Sequence, residues 1–156
     1  MSRRNISKKK LSTPDFLYGN ILVNLLVARI IKKGKKNLAQ RIVQTSFEII
    51  QKRTGLDAIK VFEKAIQNIT PIVEVKPCRV GGSTYQVPTE VLGYRGITLS
   101  LKWLLKASIT RSGKTFALKL ANEIIDAYNL VGGAIRKKEE THKMAEANKA
   151  FSHLRY

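Results

Sequence analysis

At 156 residues, with 29 Lys and Arg against 11 Asp and Glu, the chain carries a formal net charge of +18. In so small a body that self-repulsion opposes folding unless a polyanion lies against it, which points to nucleic acid ahead of membrane or acidic protein. A hydrophobic content of 44% excludes a merely disordered basic tail, and the single cysteine, Cys78, excludes a disulfide framework and a thiolate metal cluster and fits a reducing compartment.

Residues 1–13 hold Arg3, Arg4, Lys8, Lys9 and Lys10 with no acid. Such a block cannot bury apolar surface and is expected to stay disordered until it meets opposite charge. No secretory signal opens the chain. Pro14 closes the tail, and a first helix is expected over 20–31. That is the longest apolar run, but Asn24 and Arg29 break it, and a membrane span needs about 20 apolar residues. Next come Lys32, Lys33, Lys35 and Lys36 around Gly34. Lysines in a last helical turn are ordinary capping chemistry, but four exceed what capping requires, so phosphate contact is favoured here.

A second helix over 37–53 places Ile42, Val43, Ser46, Phe47 and Ile50 on one face, and Gly55 stops it. Asp57 is positioned to cap a third helix with Ile59, Phe62, Ile66 and Ile69 at core spacing, ended by Pro71. The stretch 72–91 alternates with period two through Val73, Val75 and Pro77 and again through Tyr85, Val87, Thr89 and Val91. Gly81-Gly82 tolerates the positive φ of a tight hairpin turn. Pro77 and Pro88 cannot donate in a central ladder, so a two-stranded ribbon with exposed edges is predicted. Its tip holds Val80, Gly81, Gly82, Ser83 and Thr84, and Lys76 and Arg79 beside it suggest a polyanion.

Gly93 and Gly96 read as a loop leading to a fourth helix over 97–110. Ile97, Leu101, Leu104 and Ser108 cluster on one side, and Lys102 and Lys106 lie on another, where Arg95 joins them if the helix starts early. Trp103, beside that stripe, reads as wedged between helices. A fifth helix over 115–128 buries Phe116, Ala117, Leu120, Ala121, Ile124 and Tyr128, and a polar sixth follows Gly132-Gly133 over 134–149. With no internal repeat or linker, 1–156 reads as one mainly α domain: six helices, one protruding two-stranded antiparallel β-hairpin and a basic N-terminal tail.

Signals of catalysis are weak. Ser112-Gly113-Lys114-Thr115 resembles the end of a P-loop, but Ser108 stands where that loop needs glycine and a helix precedes it where a strand is required. Thr115 reads better as a helix cap, with Arg111 and Lys114 adding to a basic surface on which phosphate can sit. His142 and His153 are lone imidazoles, so no metal is expected. Asp126, Glu139 and Glu140 show no pairing that marks acid–base work and are expected to screen neighbouring lysines. The chain does not read as an enzyme, and no cofactor is expected.

Several stretches resemble the ribosomal protein seven family of the small subunit, in the family's order. They are 20–46 through Gly34-Lys35-Lys36, Ile42-Val43 and Ser46; Val73-Glu74-Val75-Lys76 with Arg79-Val80-Gly81-Gly82-Ser83-Thr84-Tyr85-Gln86-Val87-Pro88; Arg111-Ser112-Gly113-Lys114; Leu120-Ala121-Asn122-Glu123; and Met144-Ala145-Glu146-Ala147-Asn148-Lys149-Ala150-Phe151. The resemblance covers nearly the whole chain. It implies a structural constituent of the small subunit: a primary binder of ribosomal RNA that organises the head beside neighbouring ribosomal proteins, with the hairpin near the exit-site transfer RNA and the messenger path. By position, the RNA contacts would be the basic tail, Lys35, Lys36, Lys76, Arg79, Arg95, Lys102, Arg111 and Lys114. Charge and periodicity add Lys33 and Lys106. The family commonly has basic residues where Cys78 and Leu92 stand, which implies a looser grip at the arm's base and the fourth helix's start. The stretch 135–142 resembles plastid and cyanobacterial members, and a plastid-encoded protein would need no transit peptide. A chloroplast ribosome is therefore expected, with bacterial cytoplasm as the alternative. The competing reading is an architectural DNA-binding protein whose ribbon enters a groove.

Overall fold

Local capping chemistry sets most helix ends. In a computed structural model that describes residues 13–154, Asn20 accepts the Leu22 amide at 2.8 Å to start α1 (Ile21–Ile30), and its Nδ2 donates to Glu63 on α3 at 2.6 Å. The tail cations Arg3, Arg4, Lys8, Lys9 and Lys10 lie outside the described residues. Helix α2 (Lys36–Thr54) stops at Gly55, whose φ of 67° is left-handed, where glycine has no Cβ to clash. Asp57 accepts from Ile59 at 3.0 Å and opens α3 (Ala58–Ile69). Val43, Phe47 and Ile50 meet Phe62, Ile66 and Ile69 in one core, which Leu101, Leu104, Leu120 and Ile124 complete from two later helices. Trp103 packs against it, partly buried.

Strands β1 (Val73–Val80) and β2 (Ser83–Glu90) form a two-stranded antiparallel sheet, paired from Val73↔Glu90 to Val80↔Ser83. Gly81 and Gly82 take φ of 57° and 89°, the two positive values a type I′ turn requires. The register sets the expected apolar rows on opposite faces. Glu74, Lys76 and Cys78 stand opposite Thr89, Val87 and Tyr85, while Val75 stands opposite Pro88. Only Glu74 and Val87 of the ribbon are buried. The ribbon rests on the last α-helix and on a 3-10 turn, Lys149–Leu154, where the Tyr85 and Phe151 rings lie 5.3 Å apart.

Helix α4 (Gly93–Thr110) begins earlier than expected, because Gly93 and Gly96 are helical. A Cβ on buried Gly96 would stand 2.8 Å from the Thr70 methyl, so glycine serves close helix approach there and not a loop. Thr115 caps α5 (Phe116–Tyr128), accepting from Leu118 at 3.4 Å. Helix α6 (Gly133–Ala147) is less solvated than its charge suggested, since Ala134, Ile135, Thr141 and Ala145 are buried.

Candidate nucleic-acid interface

The turn between α1 and α2 is built almost wholly of lysine. Lys33 and Gly34 have φ of 53° and 73°, and the Lys35 amide donates to the Lys32 carbonyl at 3.1 Å. Lys32 and Lys33 follow the C-terminus of α1, where cations are favourable. Lys35 and Lys36 stand at the N-terminus of α2, where the helix dipole already projects positive potential, and no acid occupies that first turn. Capping therefore cannot account for them. A helix N-terminus with two added lysines is an anion site in waiting.

Packing then joins this turn to the α4 stripe. An apolar groove runs between α1, α2, α4 and the start of α5, with Arg29, Lys32 and Lys35 around Leu38, Leu105 and Ile109. A second hollow beside it is lined by Arg29, Lys102, Lys106 and Thr98. Arg29 belongs to both, so lysines far apart in sequence come to one side of the bundle. No carboxylate lines either depression, and none among the described residues pairs with Lys32, Lys33, Lys35, Lys36, Lys102, Lys106 or Lys114. Arg29 is an addition to the expected site residues, while Lys32 belongs to the lysine turn already favoured for phosphate. Arg29 does carry a signal in the sequence, as a cation inside an otherwise apolar helix.

Two arginines have internal partners instead. The Arg95 Nε lies 2.7 and 2.8 Å from the carboxylate oxygens of buried Glu74, and Lys76 approaches the same group at 3.2 Å. The Arg95 hydrogen bond, against burial and with help from Lys76, holds the Glu74 carboxyl below the usual carboxylate range. This pair fastens β1 to the first turn of α4. Arg111 donates to Glu123 at 2.5 Å and also to Asp126. Burial disfavours its charge, and the two carboxylates more than restore it. Asp126 thus screens an arginine, and Glu140 screens Lys137 at 2.7 Å. Lys114 stays exposed beside the start of α5, and Arg79, Gly81, Gly82, Ser83 and Thr84 are exposed at the arm's tip.

The family described as Ribosomal protein S7p/S5e matches residues 2–149. Three cyanobacterial proteins, each called small ribosomal subunit protein uS7, align over the full length of both chains: 56% identical in Thermosynechococcus vestitus, 55% in Gloeothece citriformis and 54% in Trichormus variabilis. The chain belongs to the ribosomal S7p/S5e family. It is a structural constituent of the small ribosomal subunit.

Membership in the S7p/S5e family leaves the DNA-binding reading without support. The P-loop likeness dissolves in the geometry too, because helix α4 runs into Ser112-Gly113-Lys114 and the Thr115 hydroxyl serves as a cap. His142 accepts the Ile72 amide through Nε2 at 3.2 Å, at the entry to the arm. Among the described residues no helix is long and apolar enough to cross a membrane.

Proposed function

We propose that this ribosomal protein binds small-subunit RNA directly through the face that carries Lys33, Lys35, Lys36, Lys102, Lys106 and Lys114, extended by Lys76 and Arg79 on the arm. Arg29 and Lys32 join that set. The observation that carries the reading is the pair of depressions sharing Arg29, which unite the lysine turn with the α4 stripe and contain no carboxylate. Arg95 and Arg111 act indirectly, by holding the arm's base and the α4–α5 corner in place. RNA duplexes bury their base edges in a deep groove, so most contact is to phosphate and shape. The role is structural and not enzymatic: organisation of the head, with the arm near the exit-site transfer RNA and the messenger. A chloroplast ribosome is the proposed location, with bacterial cytoplasm as the alternative, and the cyanobacterial relatives are consistent with both.

The test is titration of small-subunit RNA across a range of salt. Replacing Lys35, Lys36, Lys102 and Lys106 together by Ala should flatten the plot of log affinity against log salt, by about 0.9 for each duplex phosphate no longer neutralised. Competition with duplex DNA should favour the RNA. An unchanged slope with intact helical signal would remove these lysines from the interface.

A further inference from the structure

We infer that the groove between α1, α2 and α4 seats one unpaired base of the RNA, with Arg29, Lys32 and Lys35 holding the phosphates on either side of it. The inference rests on the RNA-binding reading above and adds to it a single-stranded element and an apolar contact. The groove is a cavity of about 300 Å³ whose apolar lining includes Ile30, Leu38, Ile42, Leu105, Ile109 and Phe116. Leu38 and Ile109 are 53% and 61% exposed, an apolar pair that folding leaves in water. Every charged residue around them is a cation. A ligand with a flat, weakly polar body and flanking anionic groups suits an apolar groove lined by three cations, and a nucleotide within a strand is such a ligand.

A neighbouring protein's apolar side chain fits the apolar lining but leaves three cations facing it without anions. A base-paired nucleotide offers its phosphates to the cations but no base face to the apolar lining, because its faces are stacked within the helix. Sequence-specific contact with RNA uses loops and bulges, whose bases can be splayed out and stacked on side chains. The adjoining hollow of Arg29, Lys102 and Lys106 continues the cationic track for the next phosphate.

The experiment compares the full-length protein with the Leu38→Ser/Ile109→Ser variant on small-subunit RNA. Both side chains are more than half exposed, so the variant keeps its fold, and circular dichroism with thermal melting verifies this. Affinity should fall roughly tenfold, the order expected when two half-exposed aliphatic side chains no longer lose water against a base, while the salt slope stays that of the wild type, because every phosphate contact is kept. Acylation of RNA 2′-hydroxyls, which reports all four nucleotides, should find an unpaired nucleotide that the wild type protects and the variant leaves reactive. Equal affinity, a reduced slope, or identical protection by both proteins overturns the inference. So does a variant that binds naked RNA normally yet fails to enter the small subunit, which would give the groove to a neighbouring protein. Wild-type protein that does not bind the RNA at all would sink the underlying reading, a result distinguishable from each of these.

Discussion

The Oε1 atom of Glu123 accepts the main-chain N–H of Ala134 at 2.9 Å, tying the start of α6 to the middle of α5. Its other oxygen takes Arg111 at 2.5 Å from the end of α4. One carboxylate, 1% exposed, therefore joins three helices. It also crowds Gly132, while Gly133 answers to Ala107 on α4. A Cβ on Gly132 would stand 3.0 Å from Oε1, and one on Gly133 would stand 3.2 Å from the Ala107 Cβ.

Removing that carboxylate should be costly. Glu123→Ala leaves Arg111 with Asp126 alone and the buried Ala134 amide without its acceptor, and a buried donor left unpaired costs about 2 kcal/mol. Glu123→Gln retains an oxygen acceptor and should fall between the two. Urea unfolding of the three proteins measures the order, and an alanine variant as stable as wild type would contradict the clasp.

Acid should loosen the arm's base in two stages. Burial, with the charge of Lys138, holds the His142 imidazole below its ordinary value. The folded state therefore binds that proton less readily than the unfolded chain. Its contribution is full above about pH 6.5 and is lost as pH falls through the depressed folded value. Glu74, also depressed, chiefly by the Arg95 hydrogen bond, behaves alike at lower pH: full above the ordinary carboxylate range, lost as pH falls through its lowered value. Hydrogen-exchange protection at the Ile72 amide should drop first, while core amides of α3 hold. His142→Gln should abolish the first stage, and a flat protection profile would refute it.

What could be read in advance was local. Asp57, Thr115, Gly55 and Gly81-Gly82 declare caps and turns through side-chain or φ requirements that neighbours along the chain satisfy. The start of α4 could not be read, because Gly96 answers to Thr70, a partner on another helix. Arg111 looked like surface charge because its carboxylates lie beyond the α4–α5 turn, and only the angle of that turn brings them to it. The basic face was half visible. Period placed Lys102 and Lys106 together, but only packing sets Arg29 between them and the lysine turn.

Leu130 holds a left-handed φ of 60° that a leucine tolerates poorly. It closes α5 in a Schellman arrangement: its amide donates to Ala127 at 3.2 Å, and the Val131 amide reaches Asp126 at 2.8 Å. Its side chain is 63% exposed, so little packing is at stake. Leu130→Gly should stabilise the protein by about 1 kcal/mol, less part of the backbone entropy that glycine adds to the unfolded chain. A rise of roughly 2 °C in calorimetric Tm is expected, and Leu130→Val should lower it.

The arm's orientation should depend on Phe151. An isolated two-stranded hairpin is marginal in water, so the ribbon needs a support. The aromatic pair Tyr85–Phe151, inclined at 46°, supplies one far along β2 from the Glu74–Arg95 fastening at its base. Support along β2 fixes a direction where attachment at the base alone leaves a pivot. Phe151→Ala removes an interaction worth about 1 kcal/mol beyond its buried area, too little to unfold the helical body. The variant should keep its Tm within a few degrees while NMR order parameters fall at Tyr85 and through the tip residues Gly81 and Gly82. Its affinity for small-subunit RNA should fall modestly with an almost unchanged salt slope, because every cation is retained and only the placement of Lys76 and Arg79 changes. Order parameters that stay at wild-type values would show that the base pair alone sets the arm.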